Sequence, residues 1–144
     1  PEAIAAYRTA IELEPNHASA RNSLGVALYQ ANQVTEAIEQ YRAAIALQPG
    51  YVNAYDNLGI ALKQQGNLAE AAENFQKAIA LRPGYANAYV NLGNTMRDLH
   101  RYQEAIAYCQ EAVRLAPTNA DAHNTYGCVL VDLSRFTEAI ACYE

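Results

Sequence analysis

The feature that most constrains this chain is a strict sequence period of about 34 residues. Glu-Ala returns at Glu2-Ala3, Glu36-Ala37, Glu70-Ala71, Glu104-Ala105 and Glu138-Ala139, and proline at Pro15, Pro49, Pro83 and Pro117. Leu-Gly returns at Leu24-Gly25, Leu58-Gly59 and Leu92-Gly93. A fixed period of this length is typical of a chain that stacks copies of one supersecondary unit, because each copy buries its apolar face only against its neighbours.

Each repeating unit contains two segments with helical periodicity. In the first segment Tyr55, Leu58 and Leu62 recur at the spacing of one helical face, and the second segment shows the same pattern. The residue at the junction is Asn32, Gly66, His100 or Ser134. A tight turn after a helix favours a left-handed residue, so we expect these four residues to adopt that conformation.

The glycine inside each first helix needs a physical reason, because glycine costs about 1 kcal/mol relative to alanine there. Gly25 and Gly93 fall on the stripe that faces the second helix. We expect each glycine to meet the small Ala37 or Ala105, with larger side chains such as Tyr41 filling the space between successive hairpins.

These residues resemble the signature of the tetratricopeptide repeat family over essentially the whole chain. Residues 89–117 contain one copy of the signature, in which Cys109 stands in place of an aromatic residue. The matching residues are Tyr89, Leu92, Gly93, Met96, Ala105, Ala112 and Pro117. The resemblance implies an all-α fold, a right-handed α-solenoid of antiparallel helix-turn-helix repeats. Matching the period gives a single array over residues 1–144. The lone second helix of a truncated repeat occupies 1–17, full repeats occupy 18–51, 52–85 and 86–119, and a truncated repeat occupies 120–144.

Composition argues against several classes of partner. The net charge is −5 and the ten basic residues are scattered, whereas nucleic-acid binding requires a clustered basic face. No stretch approaches the ~20 apolar residues that span a bilayer. We therefore predict no nucleic-acid partner and no membrane insertion. The three cysteines weakly favour a reducing compartment, so we expect a cytoplasmic location.

The sequence contains no recognisable constellation for catalysis or metal binding. The cysteines lack Cys-x-x-Cys spacing, and no phosphate-binding glycine loop is present. No Ser, Cys or carboxylate partner is predictable for His17, His100 or His123. The repeated glutamates fall in first helical turns, where they complement the helix dipole. We predict that the chain is not an enzyme and holds no cofactor or metal.

The family resemblance implies a concave face lined by the first helix of each repeat. We name the residues predicted to contact a partner on that face the groove stripe: Asn22, Asn53, Asn57, Lys63, Asn87, Asn91, Asn94 and Arg97. An amide both donates and accepts hydrogen bonds, so a series of amides suits a peptide backbone of any sequence. Lys63 and Arg97 are suited to a carboxylate. The alternative is that these residues are simply solvated.

Two comparisons within the family narrow the hypothesis. Domains that hold the acidic tails of heat-shock chaperones use lysines that the matching positions here lack, which disfavours that partner. Asn57 and Asn91 match an asparagine ladder in the repeat region of O-linked N-acetylglucosamine transferases, whereas Ser23 and Thr125 depart from it.

Three functions remain open from the sequence. The leading hypothesis is a protein–protein interaction scaffold that binds a peptide segment of a partner in the groove. The second is a substrate-recruiting arm of a larger enzyme such as a glycosyltransferase. The third is a scaffold that self-associates end to end through its uncapped repeats.

Overall fold

The computed structural model describes residues 2–142, and within that range it contains nine α-helices and no strand. The helices are α1 Glu2–Leu13, α2 Ala18–Gln30, α3 Val34–Leu47, α4 Val52–Gln64, α5 Leu68–Leu81, α6 Ala86–Asp98, α7 Tyr102–Leu115, α8 Ala120–Asp132 and α9 Phe136–Ala141. The first helices begin at Ala18, Val52, Ala86 and Ala120, and the second helices begin at Val34, Leu68, Tyr102 and Phe136. Both series advance by the same constant interval as the sequence period, so the predicted helical-repeat fold is confirmed.

The chain divides into two compact units, with the division between Asn74 and Phe75 inside α5. In the first unit α2 packs against both α1 and α3, and α3 packs against α4. In the second unit α7 packs against both α6 and α8, and α8 packs against α9. In each unit a first helix also touches the next first helix, α2 with α4 and α6 with α8.

The turn inside each hairpin is made by a residue in the left-handed region. The φ angle is 60° at Asn32, 81° at Gly66, 60° at His100 and 58° at Ser134, which confirms the expectation from the sequence. The residue after each turn donates its N–H to a carbonyl five residues earlier, as from Gln33 to Leu28 at 2.9 Å and from Arg101 to Met96 at 2.8 Å. This Schellman arrangement satisfies carbonyls at the helix end, and it needs the left-handed residue to close.

Proline marks the end of each complete second helix. Helices α1, α3, α5 and α7 end at Leu13, Leu47, Leu81 and Leu115, and the proline follows two residues later in every case. Because proline cannot donate a backbone hydrogen bond, it prevents the helix from continuing.

The cores of the α2–α3 and α6–α7 hairpins differ in one respect from the prediction. A methyl group placed on Gly25 would lie 2.6 Å from Cε1 of Tyr41, and one on Gly93 would lie 2.7 Å from Sγ of Cys109. The glycines therefore accommodate the larger side chain of the second helix within the same hairpin, rather than chiefly meeting Ala37 or Ala105. The backbone oxygen of Ala105 also lies 3.5 Å from the methyl position on Gly93, which is an ordinary contact.

Burial controls the acidity of the side chains against these glycines. Desolvation, with a smaller contribution from Tyr29, raises the pKa of Tyr41 from 10.0 to about 12. Desolvation, with smaller contributions from Cys128 and Cys142, likewise raises the pKa of Cys109 from 9.0 to about 12. Cys109 is equivalent to Tyr41 in the repeat. It is fully buried, so it packs as a small side chain where the other repeat has an aromatic ring.

Candidate functional site

The first helices carry the groove stripe, and the structure gives its members different environments. Asn53 and Asn87 are exposed and stand second in α4 and α6. Asn57, one turn further along α4, is half-buried. Residues four positions apart share one helical face, so the difference in burial comes from the neighbouring helices and not from α4 itself.

In the first unit two groove-stripe residues bind each other. Nδ2 of Asn57 donates to Oδ1 of Asn22 at 3.0 Å, joining α4 to α2. Asn22 is only 8% exposed, so its amide is a buried polar group that requires such a partner. The sequence predicted Asn22 as a contact for a partner; in the structure its side chain is buried and accepts from Asn57, and the contact with a partner stays a prediction.

The second unit contains a related bond between first helices. Nδ2 of Asn94 donates to Oγ1 of Thr125 at 3.0 Å, joining α6 to α8. Thr125 is 4% exposed and lies two sequence periods after Asn57. From the sequence, Thr125 is a position of the concave face that departs from the asparagine ladder, and its bond with Asn94 is not predicted. Its hydroxyl at a first-helix position was the signal that it is an acceptor.

Asn87 and Asn91 also lie in the second unit. Asn87 accepts from Nδ2 of Asn119 at 3.5 Å, and Oδ1 of Asn119 accepts from the backbone N–H groups of Asp121 and Ala122, which caps α8. Asn91 is half-buried, and its backbone carbonyl accepts from Oγ1 of Thr95 at 2.7 Å. Asn119 was not among the residues singled out from the sequence.

The two cationic members stand near the ends of their helices. Arg97 forms an ion pair with Asp132 of α8, and its hydrogen bond to Asp132 is the main reason that the pKa of Arg97 is raised. A cleft of about 430 Å³ lies beside this pair and is also lined by Asp98, His100 and Tyr102. Lys63 is half-buried in the last turn of α4. Arg97 therefore already binds a carboxylate of this chain, and its contact with a carboxylate of a partner stays a prediction.

His17 has partners that the sequence did not predict. Ser19 Oγ lies 3.1 Å from Nε2 of His17, and Oε2 of Glu14 lies 3.4 Å from Nδ1. Glu14 and His17 lie in the turn between α1 and α2, Ser19 is the second residue of α2, and all three are exposed. These contacts therefore form a solvent-exposed hydrogen-bonded cluster at the start of α2.

Residues 2–142 include no group of three or more His, Cys, Asp or Glu side chains arranged to hold a metal ion. Over the same range no helix combines the length and apolar character needed to cross a bilayer. The absence of an enzymatic activity and of a cofactor stays a prediction.

Helical hairpins that recur at a constant interval, each with a glycine inside its first helix, define a helical-repeat scaffold. Residues 1–52 and 57–120 match a tetratricopeptide repeat family model, and residues 120–144 match a second model of the same repeat. The chain therefore belongs to the tetratricopeptide repeat family. No curated protein sequence matches it.

Solved structures with the same fold are numerous. The crystal structure of MamA has a TM-score of 0.89 and 25% identity, and the match covers 97% of this chain and 82% of that one. YrrB, described as a tetratricopeptide protein with an unusual peptide-binding site, has a TM-score of 0.83 and 24% identity over 96% of this chain and 71% of that one. The tetratricopeptide domain of Arabidopsis OM64 has a TM-score of 0.76 and 26% identity over 78% of this chain and 93% of that one. At this level of identity the likeness to YrrB establishes the fold alone.

Proposed function

We propose that this chain is a protein–protein interaction scaffold that holds an extended peptide segment of a partner against the groove stripe. The observation that carries the proposal is made in each unit by itself: Asn53 in the first unit and Asn87 in the second are exposed at the same helical position, one turn before the half-buried Asn57 and Asn91. Amide side chains repeated at one helical position present the same hydrogen-bonding groups to a partner at each repeat.

The mechanism is capture of the partner's backbone. A peptide backbone offers one N–H donor and one carbonyl acceptor per residue, and an asparagine amide complements both. Adjacent packed helices lie about 8–10 Å apart, and an extended chain advances about 3.3 Å per residue. Within one unit, successive first helices would therefore meet backbone groups about three residues apart. Recognition by this route depends on the partner's extended shape more than on its side chains.

The cationic residues would add a secondary contact. Arg97 pairs with Asp132, so a carboxylate of the partner must share or displace that pair. Both side chains of the pair are about one-third exposed, which keeps its net contribution to stability near or below ~1 kcal/mol. A partner carboxylate at this position would thus bring a modest gain in affinity.

A peptide-library selection tests the proposal. The immobilised protein would be presented with displayed random twelve-residue peptides, and binding of the recovered peptides would be measured by isothermal titration calorimetry. We expect the Asn53→Ala/Asn87→Ala variant to bind about 5- to 150-fold more weakly, because each of the two lost hydrogen bonds is worth about 0.5–1.5 kcal/mol. Both residues are exposed, so this variant should keep its melting temperature.

The matched control is Gln76→Ala/Gln103→Ala, which removes two exposed amides from the second helices α5 and α7. The control should bind as the unmodified protein does. Recovery of no peptide, or equal losses in the two double variants, would contradict the proposal.

Self-association is a second candidate because apolar side chains are exposed on α9. Phe136 is 58% exposed and Ile140 is 59% exposed. Ile38 and Ile106, the equivalents of Ile140, are 4% and 8% exposed, and they lie on helices against which a further first helix packs. A surface of this kind favours contact with another apolar helix. The third hypothesis, an arm of a larger enzyme such as a glycosyltransferase, rests on Asn57 and Asn91 and stays a prediction.

A further inference from the structure

We draw no further inference here: the strongest candidate, the exposed apolar face that Phe136 and Ile140 form on α9, already belongs to the self-association hypothesis, and nothing in residues 2–142 shows what covers it.

Discussion

Substitution of Gly93 by alanine tests how closely the two helices of a hairpin approach. The added methyl group would lie 2.7 Å from Sγ of Cys109, whereas ordinary contacts between such atoms begin at about 3.5 Å. Cys109 is fully buried, so its sulfur has little room to move. Overpacking of this kind costs about 1–3 kcal/mol. The gain in helix propensity offsets about 1 kcal/mol, which leaves a net destabilisation of up to ~2 kcal/mol.

Replacing Cys109 by alanine provides a control for this prediction. In a Cys109→Ala background the sulfur is absent, and the nearest other atom to the new methyl group is the Ala105 backbone oxygen at an ordinary 3.5 Å. Gly93→Ala should then stabilise the protein by about 0.4–1 kcal/mol. The coupling free energy between the two sites should therefore be about 1–3 kcal/mol.

Urea denaturation followed by circular dichroism would measure the four proteins of this cycle. Gly84→Ala is the matched control, because a methyl group there has no atom within 4 Å. That control should change the free energy of unfolding by less than ~1 kcal/mol. An equal effect of Gly93→Ala in both cysteine backgrounds would refute the close-approach explanation.

The remaining predictions concern buried groups and one exposed face. Asn57→Ala should lower the free energy of unfolding by about 1–3 kcal/mol in urea titrations, because it leaves the buried Asn22 oxygen without its donor, whereas Asn53→Ala should have no measurable effect. Burial raises the pKa of Tyr41 from 10.0 to about 12, so the folded state keeps a proton that the unfolded state releases. Its contribution is fully present below pH 10 and is lost as the pH rises toward 12, and Tyr41→Phe should therefore flatten the pH dependence of unfolding across this window. Ile140→Glu should reduce any concentration-dependent association seen by analytical ultracentrifugation, and unchanged association would remove α9 as the contact.

The sequence predicted the helices and turns because local chemistry and the repeat period agree. Asn32, His100 and Ser134 are poor choices for a helix interior, and each adopts the left-handed conformation at the hairpin turn. The prolines likewise predict where the second helices end. The sequence alone therefore predicts features that depend on one or two adjacent residues and that recur in every repeat.

The sequence did not predict which side chain fills the space over each glycine. Several residues of the second helix project toward the first, and only the helix separation decides which one lies against Gly25. The structure assigns that place to Tyr41. The distance between the two helices depends on the packing of all side chains at their contact. No local sequence pattern specifies that packing.

The groove stripe was predictable as a set of positions but not as a set of environments. Asn22 and Asn53 are the same residue type on first helices, yet one is buried and the other is exposed. The bonds from Asn57 to Asn22 and from Asn94 to Thr125 join residues of different repeats. Such pairings depend on the rotation of each helix about its axis, and that rotation is a tertiary property.

The role of the groove-stripe asparagines can be observed directly by nuclear magnetic resonance. The side-chain NH₂ signals of a ¹⁵N-labelled sample would be followed while a selected peptide is added. The account predicts shifts at Asn53 and Asn87, with smaller shifts at Asn57 and Asn94, whose nitrogens face neighbouring helices. The signals of Gln76 and Gln103 should stay in place. Shifts confined to those two glutamines, with the asparagine signals unchanged, would contradict the account.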